Sequence, residues 1–432
     1  MTGKENRIYV KEATVEEGRT IQYRVEYGAK AARYFSGKEF FVQYDRPIRG
    51  VPEGILMIPL LANLLPVAWA AGADVYVDKL DRAFHESLLE VKAAFGLLYP
   101  RIKFSGELYV RQLTDDRPVL PPTRSAAFFS GGVDSLGTFL RRKEENPYLI
   151  TIWGGDIGFH QPHIWHEVRR YNRDFAQAHG MESLFIKSSL RTFLNEERIA
   201  FQFGRFTHGW WPGLQHGIGM VGLCAPLAYA LGIGNLYVPS ALPPKLAVSI
   251  PDGSNTLINN RIRWAGAKVQ LEGEELTRQD KVTLISDFIR GREAGLGLTV
   301  RVCWSNKVYG NCGRCEKCSR TIAALMAEGI DPEAAGFPME ADTRDYIRQQ
   351  LPGWLGTSAL RAEYWNEIRL RSIANVAAIR QEDRAFFGWF RQLDLKAGLK
   401  GKRARDLLID LIPHPLFLFL KRRSPHARAK AE

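Results

Sequence analysis

From residue 123 onward the chain alternates between short apolar runs rich in β-formers and longer stretches with helical periodicity. The runs are SAAFF (125–129), YLITIW (148–153), SLFIKS (183–188), NLYVPS (235–240) and TVRVCW (299–304). Between them lie LGTFLRRKEE, HIWHEVRRYNRDFAQAHG, GIGMVGLCAPLAYALG and RQDKVTLISDFI. Strands that alternate with helices are joined by crossovers, which builds a parallel sheet covered on both faces. The expectation is an α/β fold with a doubly wound, parallel, five-stranded sheet. Ahead of it, RIYVKEA, TIQYRVEY and EFFVQYD alternate like half-buried strands. Phe84, Leu88, Val91 and Phe95 then recur at helical spacing, as in an amphipathic helix. After about residue 330 the pattern is mostly helical. Three regions are expected: an N-terminal α+β domain over 1–120, the sheet domain over 121–328 and a helical C-terminal region over 329–432.

Composition excludes several classes. With 432 residues, 45% hydrophobic and 25% charged, the chain is neither collagen-like nor low-complexity nor a long coiled coil. The net charge of +12 is uneven: from Lys396 to the end there are ten Lys/Arg against three Asp/Glu. The excess is mainly a property of the tail, so charge alone is a poor argument for nucleic acid. GILMIPLLANLLPVAWAAGA (54–73) has the length of a membrane span, but Pro59, Asn63 and Pro66 interrupt it. It reads as a buried helix or broken helix pair, and 217–232 as a helix buried against the sheet. DLLIDLIPHPLFLFLKRR is too broken to cross a bilayer; it reads as a cap on the core, or as a segment lying on an anionic surface or a partner. No stable membrane span is expected. The first thirty residues hold no apolar signal core, so the expected compartment is cytoplasmic.

The sharpest local signal is Ser130-Gly131-Gly132-Val133-Asp134-Ser135, between an apolar strand and a helix. Two glycines allow backbone N–H groups to turn inward as a nest, and the helix points its positive end at the same spot. Ser130 and Ser135 add hydroxyl donors. Together these suit a phosphate group. No GxxxxGK[ST] occurs, which disfavours transfer of a γ-phosphate and suits attack at the α-phosphorus with pyrophosphate leaving. Asp134 is the candidate for orienting the loop or holding Mg2+.

Cys303, Cys312, Cys315 and Cys318 follow C-x8-C-x2-C-x2-C within sixteen residues. Four thiolates at this spacing suit a closed tetrahedral Zn2+ site, structural rather than catalytic. An iron–sulfur cluster or disulfides are the other readings. Cys224 reads as core packing.

The SGGVDS string resembles the PP-loop of the N-type ATP pyrophosphatase superfamily, whose members adenylate a carboxylate, amide or ureido oxygen. Together with CGRCEKCSR (312–320), it resembles the 7-cyano-7-deazaguanine synthase (QueC) family over roughly residues 123–325. The resemblance implies ATP, Mg2+ and Zn2+ and an ATP-dependent C–N ligase. Its substrate would be 7-carboxy-7-deazaguanine or a related deazapurine carboxylate. Ammonia or a protein amine would attack to give an amide, nitrile or conjugate. The chain adds about 120 residues before and 105 after that match, and 241–264 lacks the family's Asp/Tyr-Pro-Asp-Cys type string. That layout resembles QueC-like proteins with extra domains in bacterial antiviral gene clusters, which favours an amide or conjugate over the nitrile of queuosine biosynthesis.

Other residues complete the expectations. Lys187, Arg261, Arg263 and Lys268 are candidates for neutralising phosphate charge. Asp156 and His160 follow the second strand at the carboxyl edge, where ligands bind in such sheets. His163 and His166 share a helix without further metal-binding partners. Trp210, Trp211 and Gln215 could hold a flat heterocycle. The N-terminal domain could serve a protein partner, and a homodimer is open. The rivals are a tRNA-modifying PP-loop enzyme and, from another class, a zinc-containing nucleic-acid-binding protein with an inactive loop.

Overall fold

Alternation of more and less buried residues, broken once in the first by a register shift between Val10 and Glu12, makes strands of Arg7–Glu16 (β1) and Thr20–Tyr27 (β2), while four near-continuous apolar runs make strands buried on both faces. The computed structural model describes residues 5–118, 120–207, 209–247, 250–291, 298–303, 310–356 and 358–395, with 412 and 416. These form two compact units.

The first unit comprises Met1–Leu276 and the described residues 298–301. It holds one sheet. After β1 and β2 come β3 (Phe41–Tyr44), β4 (Asp74–Asp81), β5 (Leu108–Thr114), β6 (Arg124–Phe128), β7 (Tyr148–Trp153), β8 (Ser183–Ser188), β9 (Ile233–Pro239), β10 (Arg263–Trp264) and β11 (Ala267–Glu272). The eleven strands run in the order β10-β11-β9-β6-β7-β8-β3-β2-β1-β4-β5. Six of the ten neighbour pairs are parallel. The fold class is α/β, with a sheet larger than the five strands expected.

Five consecutive parallel strands, β11-β9-β6-β7-β8, occupy one side of the sheet. Counted along the chain this is the doubly wound order 3-2-1-4-5, reversing at β6. Both faces are covered. Ala126, Phe128, Tyr148, Ile150, Leu184 and Ile186 share one core with Ile218, Val221 and Leu227 of the helices His216–Leu223 and Ala225–Leu231. On the other face Phe129 stacks on Phe175 at 4.7 Å, and Phe185 packs with Ile164, Trp165 and Val168. Those partners come from the helix Pro162–Ala178.

Two expectations change. The segment TVRVCW is no strand over its described residues 299–303, and β11 lies beside β9 instead, from Lys268↔Asn235 to Glu272↔Pro239. The backbone of 299–301 is bonded elsewhere: Arg301 N–H donates to Gly131 O at 2.7 Å, and Thr299 O accepts from the Tyr171 hydroxyl. Nor does the sheet stop at residue 120. β3 pairs antiparallel with β8 through Val42↔Ser188, Gln43↔Lys187 and Tyr44↔Ile186. Ser188 Oγ donates to Phe41 O at 2.8 Å, and Tyr44 OH donates to Leu223 O at 2.8 Å.

The apolar stretch at 54–73 folds into the short helix Glu53–Leu56 and the helix Ile58–Ala71, buried along almost its whole length. The run Trp211–Leu231 is long and apolar enough to cross a membrane by length and composition, but 78% of its apolar window is buried inside the protein.

The second unit comprises Thr277–Gly291, residues 302–303 and those described from 310 onward. The four cysteines therefore group with the C-terminal helices rather than with the sheet. A buried carboxylate explains the grouping. Glu328 is fully buried and accepts from Arg371 Nε at 2.8 Å and Nη2 at 2.7 Å, from Gln279 at 2.8 Å and from Thr283 at 2.6 Å. It ties the helix Arg278–Arg290 to Glu316–Ala327 and Ala359–Ala374.

One buried acid in the first unit gives a pH signature. Asp81 caps the helix Arg82–Leu98, accepting from Phe84 N at 2.9 Å and Ala265 N at 3.2 Å. Burial, with smaller contributions from Asp116 and Asp115, pushes its carboxyl up to about 6. Between 3.8 and about 6 the folded chain keeps a proton that the unfolded chain has lost, so this group's contribution falls as pH rises through that window. Asp81→Asn keeps an acceptor and cannot titrate. Its melting temperature relative to the parent should climb across the window and level off above it; a gap that does not change with pH would show that Asp81 is already ionised at the lower end.

Candidate functional site

The loop after β6 sits where the strand order reverses, between β7 on one side and β9 on the other. Crossovers leave β6 and β9 in opposite directions there, and in open α/β sheets ligands bind at the carboxyl ends of the strands beside such a reversal. The end of β6 is fixed from below. Phe129 N donates to Ile150 O at 2.8 Å, and Phe129 O accepts from Thr151 Oγ1 at 2.9 Å and Asn172 Nδ2 at 3.1 Å. Asn172, itself fully buried, also donates to Thr151 Oγ1 at 2.7 Å.

Beyond that anchor the chain turns. Gly131 has φ +75°, and a Cβ there would lie 2.9 Å from Tyr171 Cε1. Gly132 caps the helix Val133–Arg142 with no side-chain cap, and Leu136 N is bonded to Gly132 O at 2.9 Å. The N–H groups of the first turn precede any intrahelical partner, which is the usual state of a helix start. Ser135 is buried; its Oγ accepts from Ser130 N at 3.2 Å and donates to Gly132 O at 3.1 Å. Its hydroxyl therefore shapes the turn. Ser130 is exposed, with its Oγ 3.3 Å from Ser135 Oγ and 3.4 Å from Gly132 N. Val133 is buried and Asp134 half-buried in the first turn.

The expected cations do not gather at this turn. Lys187 lies two strands away, its Nζ 4.9 Å from the ring centre of Trp153, 5.6 Å from Phe159 and 5.9 Å from Phe41. Three aromatic faces hold that ammonium. Arg261 donates to Leu257 O at 2.9 Å, Arg263 pairs with Glu90 at 2.8 Å, and Lys268 is exposed on β11. The residue that meets the turn is Arg301. Its N–H bonds Gly131 O, its Cβ would stand 3.6 Å from a Gly131 Cβ, and its carbonyl 3.3 Å from a Gly132 Cβ. Reading 299–304 as a strand hid it.

The carboxyl edge beyond β7 is ordered by other contacts. Asp156 accepts from Trp211 Nε1 at 2.9 Å, and Arg191 lies 5.2 Å from the Trp211 ring centre while pairing with Glu196 at 2.6 Å. His160 is exposed and folded back against Gly158. His163 and His166 are exposed, and among the described residues neither joins a group of potential metal ligands. Gln215 is fully buried, and its Nε2 donates to Asn63 Oδ1 at 2.9 Å and Leu190 O at 2.5 Å. The π-helical turn Trp211–Gln215 places it in the interior. Trp210 and Trp211 are also buried, as packing residues.

In the second unit Cys303, Cys312, Cys315 and Cys318 offer four sulfurs within 4.8 Å of one another. Sγ of Cys303 and Cys315 are 4.0 Å apart, as are those of Cys312 and Cys318. Metal–sulfur bonds of about 2.3 Å in a tetrahedron require edges of about 3.8 Å, so the cluster fits one ion with modest contraction. Gly313, at φ +70°, makes the knuckle, and Cys315 N donates to Cys312 Sγ at 3.3 Å. Asn311 braces it by accepting from Val302 N at 3.0 Å and donating to Gly336 O at 3.0 Å. Hydrogen bonding with Cys315, burial and the neighbouring sulfurs push the Cys318 thiol far up, as expected where thiolates gather without a cation. These four residues could hold a metal such as zinc, and the closed shell leaves no open position for catalysis.

Compared with protein-family models, curated proteins and solved structures, the chain matches none.

Two outcomes follow. Metal analysis of the purified chain should return about one ion per chain, lost in Cys315→Ser with rapid proteolysis of the second unit; an intact metal-free Cys315→Ser unit would contradict the structural role. Gly131→Ala should cost about 1–3 kcal/mol in urea unfolding, since Ala must adopt a positive φ against Tyr171; parent-like stability would mean that the turn relaxes freely.

Proposed function

We propose that the chain is an ATP-dependent ligase that activates a carboxylate at the glycine turn and passes the acyl group to an amine. The observation that supports it most is the position of Ser130–Ser135: a glycine-rich turn and a helix start at the order reversal of a parallel sheet. That is where phosphate-bearing ligands bind in open α/β sheets.

The residues suit phosphate groups. The glycines let the turn bring the start of the helix Val133–Arg142 to this point, and the exposed Ser130 hydroxyl adds a donor. Ser135 holds the turn in shape, which makes its donors preorganised. Arg301 bonds this turn through its backbone, which brings a cationic residue beside it. Asp134 would contribute a carboxylate oxygen to Mg2+, an ion that keeps most of its shell as water and phosphate oxygens. ATP, when bound, would supply the adenylyl group that makes the carboxylate electrophilic, with pyrophosphate leaving. Within this reading, the resemblance of SGGVDS and CGRCEKCSR to the 7-cyano-7-deazaguanine synthase family implies 7-carboxy-7-deazaguanine or a related deazapurine acid as substrate. Ammonia or a protein amine would be the acceptor, and Zn2+ the ion of the cysteine cluster.

The test is exchange of labelled pyrophosphate into ATP in the presence of Mg2+ and 7-carboxy-7-deazaguanine. Exchange is expected in the parent and lost in Ser130→Ala and Asp134→Ala at nearly unchanged melting temperature. Arg301→Ala should weaken the apparent affinity for ATP by about 10-fold or more, the scale of one charge-assisted hydrogen bond. Absence of exchange with this acid and with a panel of carboxylates would overturn the reading.

A further inference from the structure

Residues 299–303 are held at almost every step, first at the glycine turn and then at the cysteine cluster. Thr299 O accepts from the Tyr171 hydroxyl, and Arg301 N donates to Gly131 O at 2.7 Å. Val300, between them, is fully buried. One residue further on, Val302 N donates to Asn311 Oδ1 at 3.0 Å, and Cys303 sets its Sγ 4.0 Å from that of Cys315. Asn311 directly precedes Cys312, so both of these holds belong to the knuckle. Arg301 and Cys303 are two residues apart, a span of at most about 7 Å. The chain therefore has no slack between the turn and a metal ligand.

The bond at Gly131 O fixes the direction of a donor. In a trans peptide the carbonyl and the N–H point opposite ways. Holding Gly131 O on Arg301 N turns Gly132 N–H away from Arg301, toward Ser130 Oγ at 3.4 Å. Ser130 is exposed, so this donor stands at the rim of the turn. A peptide between two glycines meets little steric resistance to rotation. Its orientation is decided by what holds it from outside.

We propose that the ion of the cysteine cluster controls the affinity of the glycine turn for a diphosphate group, through Cys303 and the backbone amide of Arg301. With Cys303 ligated, Arg301 N–H stays on Gly131 O and the Gly132 donor stays at the rim. With that sulfur released, the bond opens, the 131–132 peptide turns and the anion is held less tightly. The link runs along the backbone of three consecutive residues. Such coupling is reciprocal, so an anion at the turn also tightens the metal. The anion half rests on the phosphate reading of the turn; the hold on Arg301 does not.

Amide hydrogen exchange on the nucleotide-free full chain tests the hold. Arg301 should exchange slowly with metal bound and about fivefold faster after chelation, the scale of one net hydrogen bond. Phe129, bonded to Ile150 O within the sheet, should not change. Chelation also loosens the second unit, so a second chain carries two glycines inserted between Arg301 and Val302. It should keep the parent's metal content and still show the fast Arg301 amide. Magnesium pyrophosphate should bind about fivefold more weakly to the stripped and the inserted chains. In chelator competition, saturating pyrophosphate should tighten the parent's metal affinity by the same factor and leave the inserted chain's unchanged. A slow Arg301 amide in the inserted chain, equal acceleration at Phe129, or pyrophosphate binding that is equal in all forms would overturn the proposal. Fast Arg301 exchange in both chains, with no pyrophosphate bound by any form, would keep the hold on Arg301 and overturn the phosphate reading of the turn instead.

Discussion

The carbonyl of Phe129 is the point from which the candidate site is built. Held by Thr151 and Asn172, it stops the sixth strand at a defined height and orientation. The next residues then have little choice. Gly131 must take a positive φ beneath Tyr171, and the following helix starts directly after it with its first-turn donors at the carboxyl end of the strand. Both serines act within this geometry, one shaping the turn and one exposed at its rim. The segment 299–301 closes the same turn from the far end of the sheet domain's sequence, so residues some 170 positions apart in the chain determine one loop.

The second unit has its own internal logic. A closed cysteine knuckle at one helix start and a fully buried, multiply bonded glutamate at the end of the same helix secure its two ends. Glu328 is costly to bury unless paired, and the paired arrangement fixes which helices pack together. The knuckle's proximity in sequence to Arg301 is therefore a fact of the chain, while its packing belongs to the helices that follow.

Much of this was legible in the residues. The runs at 125–129, 148–153, 183–188 and 235–240 carry the apolar signature of doubly buried strands, and the glycine turn sits after the first of them. The cysteine spacing alone indicated a shared ligand geometry. The fifth parallel strand was not legible, because AKVQLE (267–272) has three polar residues in six and reads as surface, whereas TVRVCW reads as a strand. Hydrogen bonding to the turn, not propensity, decides the latter segment. Likewise nothing local in FVQY says that it pairs with a strand more than 140 residues away; the Ser188 hydroxyl and the Tyr44–Leu223 bond do. Lys187 reads by residue type as a cation for phosphate, and Gln215 as a partner for a flat heterocycle. An aromatic cluster and a π-helical turn, both products of tertiary packing, gave them other partners.

The central claim is that backbone donors at the glycine turn bind phosphate. Amide resonances report that directly. In nitrogen-15-labelled protein titrated with magnesium pyrophosphate and then Mg-ATP, the signals of Gly131, Gly132 and Val133 should move most, saturably, with both ligands. If those amides stay still while shifts concentrate in another part of the chain, the turn is a structural connection and the nucleotide chemistry assigned to it is wrong.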